Sequence, residues 1–466
     1  MTTRPPHSEG AFFMESTRVA VSYTPGHAAA SPYPMTHARI LWDRLTGTVS
    51  ATSETEGFEA ELADTVETNS WWKPASLPSS WRLVFDGPAL VDSIGIAAHN
   101  LGSTENAYRL ERLTEDQQEN VLPYSESFGL WTYKARVAVS MGFPAPDRTN
   151  SATRLIEDLN TGGHYVQQDF DTVEGRTYTF SVYYKPIPGR GLRLALVNAG
   201  YPALALVNFD DSGAVLSLND KVSNATSVDI GEGWFRVSIS APAQVTGVAA
   251  ARVLILNENY GSAYTGDGSS FVNIFGAQLQ WKDGPPSSYL RTTSAPVTSF
   301  WEAMSDAWTW PEDDGAILEL FEPGEETGIG ISVSKECRIG VVYTGKALEM
   351  PRMGYTNLGP TDLGRTAVLT SYISEGGQLM GRFIQRAGLS GAFEWKNLPE
   401  DWYRQAFDPF ARAARTEPFF IAARPEGYPT DCAYAWVDDP ILPARQGVRN
   451  FVSVGFTATG HADASA

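Results

Sequence analysis

The stretch TYTFSVYYKP, residues 177–186, decides the fold class of this chain. Aromatic and β-branched side chains alternate in it with smaller ones, a pattern that predicts a half-buried β-strand. Between residues 122 and 298, similar short runs alternate with turns rich in Gly, Asp and Asn; they include SATRLIED, LRLALVN, WFRVSISA, ARVLILNE and FVNIFGAQLQW. Many short strands at close spacing are typical of an antiparallel β-sandwich. The sequence therefore predicts a mainly β protein.

Further strand-like runs lie outside this sandwich. SWRLVFD and SIGIAAH precede it, and GIGISVS and IGVVY follow it. The first pair alone would leave unpaired edges and an uncovered apolar face, so it needs the second pair to complete a sheet. We therefore predict that SIGIAAH and IGVVY share one sheet in a discontinuous jelly roll of residues 37–110 plus 299–350. The sandwich at 111–298 would be an insertion, which is tolerated because lengthening a loop costs little entropy.

The two ends of the chain differ from these units. Residues 1–36 are rich in Pro, Ser, Thr, Gly and Ala, which predicts an extended N-terminal arm or a loose terminus. Residues 351–460 combine strand-like runs with PEDWYRQAFDPFARAART, where apolar side chains recur at helical spacing; they are Trp402, Phe407, Phe410 and Ala414. We predict an α+β assembly domain there. The predicted class is thus mainly β, with several antiparallel β-sandwiches or jelly rolls and a small α+β C-terminal domain.

Composition excludes several classes of function. The 466 residues contain 35 Lys and Arg against 54 Asp and Glu, a net charge of −19. Such a surface argues against sequence-independent nucleic-acid binding, which needs basic side chains around phosphate. The sequence contains no run of about 18 apolar residues, which a membrane-spanning helix would require. The first thirty residues lack the apolar core of a signal peptide. Cys337 and Cys432 are too few for a disulfide framework or a zinc site, and no cofactor is predicted.

Three segments resemble parts of tailed-bacteriophage virion proteins. The ordered motifs WTYKARVAVSM, NSATRLIED, GEGWFRVSISA, YTGDGSSFVNIFGAQLQ and SSYLRTT, over most of residues 122–295, resemble a carbohydrate-binding-module-like sandwich of such proteins. TNSWWKPASLPSSWRLVFDGPALVDSIGIAAHNLGS resembles a discoidin-type jelly roll, and the C-terminal unit resembles the ends of phage structural proteins. The resemblance implies a virion component, assembled in the host cytoplasm and exposed on the particle surface. Its implied partners are other phage structural proteins, further copies of itself and a host cell-surface glycan.

The inserted sandwich contains aromatic side chains that are candidates for sugar contact, because flat rings stack on the C–H faces of pyranoses. The candidates are Trp131, Tyr183, Tyr184, Tyr201, Tyr260 and Tyr264. Tyr183 and Tyr184 are adjacent in a strand and therefore face opposite ways, so at least one is expected to point away from the main core. The alternative for the whole set is ordinary packing.

Other chemistry finds little support in the sequence. The loop residues Asp210 and Asp267 are weak calcium candidates, although turn-forming Asp is the simpler interpretation. No HExxH, paired CxxC or GxSxG motif occurs, and a carboxylate pair for glycoside hydrolysis cannot be recognised without distances. We therefore predict no catalytic residue and no enzyme.

The sequence thus predicts a structural protein of a tailed-phage virion. Its expected place is the tail, as a fibre, adaptor or receptor-binding component with a glycan-adhesion sandwich. Two alternatives stay open: a capsid decoration or head-fibre protein with the same domains, and a polysaccharide depolymerase. A secreted bacterial lectin is disfavoured by the missing signal peptide.

Overall fold

A computed structural model describes residues 20–198, 203–354, 364–447 and 450–461. Residues 20–120 form β1 (Val21–Tyr23), α1 (Pro25–Ala30), β2 (Arg39–Leu41), β3 (Gly47–Ala51), β4 (Ser79–Ala97) and β5 (Tyr108–Asn120). The inserted region forms β6 (Tyr133–Ala135), β7 (Val137–Phe143), β8 (Ala152–Glu157), β9 (Thr161–Gly162), β10 (His164–Thr172), β11 (Thr177–Lys185), β12 (Leu192–Asn198), β13 (Ala203–Phe209), β14 (Val215–Leu218), β15 (Asn224–Gly231), β16 (Trp234–Pro242), β17 (Gly247–Ile255), β18 (Tyr264–Thr265) and β19 (Phe271–Gln280).

The remainder forms β20 (Val297–Ala303), β21 (Ile317–Val333), β22 (Val341–Gly345), β23 (Leu348–Glu349), β24 (Gly364–Ile373), β25 (Leu379–Pro399), α2 (Glu400–Trp402), a π-helical segment (Tyr403–Phe407), α3 (Asp408–Ala413), β26 (Phe419–Ala422), β27 (Cys432–Val437), β28 (Ala444–Arg445) and β29 (Phe451–Gly460). Short 3₁₀ turns lie at Ala60–Ala63 and Phe128–Leu130. The predicted mainly β class is confirmed, as is the short helical segment near the C-terminus. No helix among the described residues is long and apolar enough to span a membrane.

Strands from both sides of the insertion share one seven-stranded sheet, called the first sheet below. Its order is β20-β5-β21-β4-β22, with β3 beside β4 and β1 parallel to β21. Ile96 pairs with Ile317 on one side and Val342 on the other. The predicted proximity of SIGIAAH and IGVVY is therefore confirmed. Of the predicted N-terminal arm, residues 20–36 instead pack on the chain's own body, where His27 is fully buried against the Phe321 carbonyl.

The insertion leaves and rejoins the first sheet at neighbouring positions. β5 ends at Asn120 and β20 begins at Val297, and these two residues are paired across antiparallel strands. The buried Asn120 amide donates to the carbonyls of Ala277 (3.0 Å) and Leu290 (2.8 Å). Its oxygen accepts from the Leu279 N–H at 3.1 Å. Every polar atom of this side chain thus fixes the sandwich to the sheet, as a buried amide requires.

The inserted region is a sandwich of two six-stranded sheets. The front sheet has the order β14-β13-β12-β17-β10-β6, and the back sheet has the order β15-β16-β11-β19-β8-β7. Alternate side chains of both sheets interdigitate in one core, as Leu194 and Val253 do from the front sheet and Phe180 and Ile239 from the back sheet. This alternation leaves the other half of the front-sheet side chains pointing outward.

The C-terminal sheet lies between the first sheet and the helical segment. Its order is β23-β2-β26-β27-β29-β25-β24, so β2, predicted in the first unit, pairs here. Within β26, Phe419 and Ile421 face the helical segment, whereas Phe420 packs with Tyr343 of the first sheet. The predicted apolar face of the helix is present: Phe407 and Phe410 are fully buried beneath it. Three layers result, and β26 in the middle layer is buried and apolar on both faces.

The segment that starts in the second half of β20 and ends before β21 joins the sandwich to the first sheet. Three of its tryptophans stack on arginines from three different elements: Trp301 on Arg82 (4.8 Å), Trp308 on Arg109 (4.2 Å) and Trp310 on Arg148 (3.8 Å). Asp306 of the same segment forms an ion pair with Arg236 of the sandwich, a side chain that is 2% exposed. We call this segment, residues 301–310, the clasp.

Candidate functional site

The outward side chains of the front sheet form a polar surface with side-chain hydrogen bonds between strands. In β10, Val166 and Phe170 point into the core, so Tyr165, Gln167 and Asp169 point outward. The same alternation directs outward side chains from the neighbouring strands, namely Tyr133, Arg193, Asn208, Ser217 and Arg252. These eight residues, from six strands, are called the front face below.

One row of the front face runs across β6, β10 and β17. Backbone pairing places Tyr133 beside Gln167 and Gln167 beside Arg252. The Arg252 Nε donates to Gln167 Oε1 at 2.6 Å, and Gln167 Nε2 donates to Asp169 Oδ1 at 2.7 Å. The guanidinium of Arg252 also lies over the Tyr165 ring, 4.9 Å from its centroid. The row therefore holds its side chains in fixed orientations before any ligand binds.

A second row continues across β12, β13 and β14. Arg193 is paired with Asn208, and Asn208 with Ser217. Arg193 Nε donates to Asn208 Oδ1 at 2.6 Å, and Asn208 Nδ2 donates to Ser217 Oγ at 3.0 Å. Arg193 Nη1 also donates to Ser262 Oγ at 2.7 Å, and burial lowers the pKa of its guanidinium. The second row is thus tethered at three points.

Aromatic and small apolar side chains complete the front face. The rings of Tyr133 and Tyr165 lie 5.9 Å apart, and Tyr133 is 52% exposed. Ala195 is paired with Arg252 and so continues the first row, whereas Leu254 is paired with both Arg193 and Tyr165. An exposed ring next to ordered donors and acceptors can stack on a sugar ring and bind its hydroxyl groups.

Three of the aromatic residues predicted from the sequence belong to the core instead. Trp131 is 1% exposed against Phe128 and donates to the Tyr124 carbonyl at 3.1 Å. Tyr184 is fully buried in the sandwich core, and Tyr183 is 1% exposed on the opposite face of its strand. A side chain without an accessible ring face cannot stack on a sugar, so these three predictions are corrected.

The remaining aromatic candidates lie at one end of the sandwich or outside the described residues. Tyr260 donates to Asp211 at 3.0 Å, and this hydrogen bond raises the pKa of its phenol. Tyr264 donates to the buried Glu157 at 2.7 Å, and burial raises the pKa of its phenol. Both hydroxyls are therefore engaged within the loops, away from the front face. Tyr201 lies outside the described residues.

The two weak calcium candidates serve as acceptors in their own turns. Asp210 Oδ1 accepts from the N–H groups of Ser212 and Ala214, both at 2.8 Å. Asp267 accepts from the hydroxyl and N–H of Ser270, and these bonds hold the pKa of its carboxyl well below the usual range. Within the described ranges, no group of three or more His, Cys, Asp or Glu side chains lies close enough to hold a metal ion.

The front face escaped prediction, although one signal for it exists in the sequence. In HYVQQDFDT, residues 164–172, Tyr165, Gln167 and Asp169 recur at every second position, as outward residues of a strand do. The run contains few apolar residues, however, so it does not stand out as a strand by itself. The two arginines of the front face, Arg193 and Arg252, each lie in a largely apolar strand. A single outward arginine in such a strand does not indicate a site by itself.

Comparison with known proteins places carbohydrate-binding modules and other glycan-binding β-sandwich domains among the structural neighbours of this chain. No family model and no curated protein matches the sequence. One neighbour is the C-terminal CBM6 domain of the laminarinase LamC from Zobellia galactanivorans, at 12% identity and TM-score 0.20, covering 34% of this chain and 99% of that chain. A second is the mannan-recognising module TmCBM27, at 13% identity and TM-score 0.20, covering 36% of this chain and 96% of that chain.

A third neighbour is the enzymatically active domain of tailspike protein 4 of bacteriophage CBA120. It has 10% identity and a TM-score of 0.21, and the match covers 36% of this chain but 19% of that chain. At these TM-scores none of the three neighbours assigns a function to this chain.

Proposed function

We propose that this chain is a structural component of a tailed-phage virion that adheres to host-surface glycans through the front face. The observation that carries the proposal is the pair of hydrogen-bonded side-chain rows beside Tyr133 and Tyr165. Ordered guanidinium, amide and carboxylate groups next to an exposed ring suit a neutral, polyhydroxylated ligand. The likeness of the motifs in residues 122–295 to a phage sandwich supports the virion assignment.

The front face suits adhesion better than hydrolysis. Asp169 accepts a hydrogen bond from Gln167, and the next outward carboxylate, Asp171, lies on the same strand. Glycoside hydrolysis instead requires two carboxylates on either side of the bond. Single contacts of this kind are weak, but several copies on one particle raise the effective concentration of each site. The proposed role is therefore a non-catalytic, tail-associated adhesin. A capsid decoration or head-fibre protein is the alternative, and electron microscopy of whole particles distinguishes the two by the position of the chain.

Glycan binding tests this proposal directly. The purified full chain is applied to an array of bacterial capsules and lipopolysaccharides, and the dissociation constant for the best ligand is measured. We expect Tyr165→Ala to weaken binding by about tenfold or more, equivalent to about 1.4 kcal/mol. Gln167→Ala and Arg252→Ala should weaken it similarly, because each variant breaks the first row.

Trp281 offers a matched control. It is 54% exposed and lies under Arg176 at 4.2 Å, so it reproduces an aromatic–arginine stack away from the front face. Trp281→Ala should leave affinity unchanged. If Trp281→Ala abolishes binding and Tyr165→Ala does not, the site is not the front face. New reducing ends after incubation with the bound glycan would instead establish a depolymerase.

A further inference from the structure

A cavity of about 390 Å³ lies between the first sheet and the inserted sandwich; we call it the junction cavity. Its volume falls within the range of about 300–1,000 Å³ that is typical of small-molecule sites. Hydroxyl-bearing and aromatic side chains line it beside three arginines and three carboxylates. Both units contribute to its walls, so the cavity forms only where the sandwich is held against the first sheet.

On the first-sheet side, strand alternation directs Arg109 toward the cavity. Its neighbours in β5, Tyr108 and Leu110, pack into the core on one side of the first sheet, so Arg109 points to the other side. Arg109 is 7% exposed, and its guanidinium stacks on Trp308 of the clasp at 4.2 Å. Its Nε and Nη1 are buried and have no hydrogen-bond partner among the described residues. Stacking covers the flat face of a guanidinium but leaves the N–H groups in its plane without acceptors.

On the sandwich side, Asp147 lines the same cavity and is 8% exposed. Its Oδ1 accepts from the N–H and the hydroxyl of Thr149, at 3.0 and 2.6 Å. In the part of the chain that the structure describes, its Oδ2 accepts no hydrogen bond from the protein. One acceptor of this buried carboxylate is therefore available to a ligand.

The other charges of the cavity are already matched. Each of the other two arginines is paired with a carboxylate: Arg82 with Glu111 at 3.1 Å, and Arg291 with Glu126 at 3.0 Å. Within the described ranges, Arg109 and Asp147 form no ion pair, either with other groups or with each other. With Glu126 ionised, three arginines face three carboxylates, so the formal charges balance. What the cavity lacks is an acceptor for one buried cation and a donor for one buried anion.

This arrangement favours a neutral ligand with several hydroxyl groups. A ligand with a net charge would add an uncompensated charge to a largely buried space, and a zwitterion would lose the hydration of two charges on entry. A hydroxyl group both accepts and donates, so one hydroxyl, or two neighbouring hydroxyls of a sugar ring, can satisfy Arg109 and Asp147 together. Trp308 and Pro78 line the same space and offer apolar surface to the C–H groups of such a ring. We propose that the junction cavity binds one pyranose unit of a neutral glycan between Arg109 and Asp147.

The junction cavity is a different site from the front face. Its sandwich wall includes Phe275 and Tyr289, which pack together on the outward side of the back sheet. The front face belongs to the other sheet, beyond the sandwich core. This inference therefore goes beyond the proposed function and does not depend on glycan binding at the front face.

Saturation-transfer NMR with small glycosides tests the proposal. The full chain carries Tyr165→Ala, which removes a ring of the front face, and is titrated at pH 8, where Glu126, with a pKa of about 7, is ionised. The neutral probes are the methyl pyranosides of glucose, galactose, mannose and N-acetylglucosamine; the charged probes are methyl glucuronoside and glycine. We expect at least one neutral pyranoside to bind and neither charged probe to bind.

A tryptophan placed in the cavity should block it. Thr298 is exposed and lines the cavity, so Thr298→Trp fills the space without replacing a buried group. We expect this variant to abolish pyranoside binding. The matched control is Ser294→Trp, at an exposed position four residues earlier that does not line the cavity. The control should leave the affinity unchanged.

Removal of the arginine donors gives a second, independent measurement. Arg109→Met keeps an unbranched side chain but no donor, so it should weaken binding by about tenfold or more. Arg154→Met is its control, because Arg154 also stacks on an aromatic ring, that of Phe143 at 3.9 Å, but does not line the cavity. The proposal is wrong if no neutral pyranoside binds, if only the charged probes bind, or if binding survives Thr298→Trp. Unchanged affinity in an Arg109→Met chain with wild-type circular dichroism would also contradict it.

Discussion

At the scale of single residues, Glu126 is a buried carboxyl group at the junction between sandwich and first sheet. It lines a cavity of about 390 Å³ together with Asp147, Arg109 and Arg291. Arg291 Nε contacts one carboxylate oxygen at 3.0 Å, and the Tyr289 hydroxyl donates to the other at 3.1 Å. Burial raises the pKa of Glu126 to about 7; Arg291 opposes this shift and Asp147 adds to it.

This raised pKa makes stability depend on pH. Between the ordinary pKa of 4.5 and the folded value of about 7, folded Glu126 holds a proton that the unfolded chain releases. The free energy of unfolding should therefore fall as pH rises through this window, by on the order of 3 kcal/mol. Denaturant titrations at a series of pH values measure the slope. Glu126→Gln should reduce the slope of the unfolding free energy against pH. The variant should therefore become more stable relative to the wild type as pH rises.

Glu232 provides the control for this measurement. It pairs with Arg148 at 3.4 Å, but its side chain is 47% exposed and therefore well solvated. Glu232→Gln should leave the pH slope as in the wild type. An unchanged slope in Glu126→Gln would show that other groups govern the acid side of the stability profile.

At the scale of elements, the contact between the first sheet and the C-terminal sheet depends on one missing side chain. Gly95 of β4 lies beneath Phe420 of β26, and a methyl group added there would be 2.6 Å from the ring. Phe420 is fully buried between Tyr343 and Tyr434, with centroids at 5.4 and 4.9 Å, so it has no space to retreat. Only glycine at position 95 allows the two layers to approach this closely.

Gly95→Ala should therefore destabilise the protein by about 1–3 kcal/mol, the usual cost of overpacking a dense core. Chemical denaturation followed by tryptophan fluorescence measures the change. Gly87→Ala is the matched control, since Gly87 lies in the same strand and has no atom near an added methyl group. Equal effects of the two substitutions would mean that backbone entropy, and not the ring contact, dominates.

The sequence predicts individual elements better than their surroundings. β11, β16 and β19 and the helical segment all follow from local periodicity, because that pattern is imposed by burial on one face. Tyr183 shows the limit of this reasoning. It does point away from the sandwich core, but Trp234, Phe275 and Tyr289 cover it. Tyr289 lies more than one hundred residues along the chain, and no local pattern carries such a contact.

The front face illustrates the converse limit. Each of its rows joins side chains from three strands, so their hydrogen bonds depend on strand order and register. Register is fixed by the whole sheet, and a shift of one residue would turn every outward side chain inward. The contribution of a single residue such as Arg252 to the front face can therefore be recognised only when the positions of the neighbouring strands are known.

At the scale of the whole molecule, the clasp sets the orientation of the sandwich. Trp310 stacks on Arg148, and Asp306 is paired with Arg236; both arginines belong to the sandwich. Arg291 adds a third contact, donating to the Leu77 carbonyl of the first unit at 3.1 Å. These contacts connect two units that are otherwise linked through neighbouring chain segments at Asn120 and Val297.

Removing clasp contacts should loosen this orientation without unfolding either unit. We expect Trp310→Ala combined with Asp306→Ala to broaden the distance distribution in small-angle scattering, because an arginine–aromatic stack contributes only about 0.5–2 kcal/mol. Circular dichroism should remain that of the wild type. Trp281→Ala, which removes a stacked tryptophan outside the clasp, should leave the scattering unchanged. Identical scattering from the clasp variant would show that the junction at Asn120 alone holds the sandwich.

The side-by-side attachment at Asn120 and Val297 also has a mechanical consequence. A pull on a tethered sandwich would open β5 from β20 in the manner of a zipper, one hydrogen bond after another, which resists little tension. The Trp310–Arg148 stack and the Asp306–Arg236 pair join the clasp to the sandwich itself, so they must part before the seam can peel. Under load the clasp would thus yield first, while the sugar-facing sheet keeps its shape.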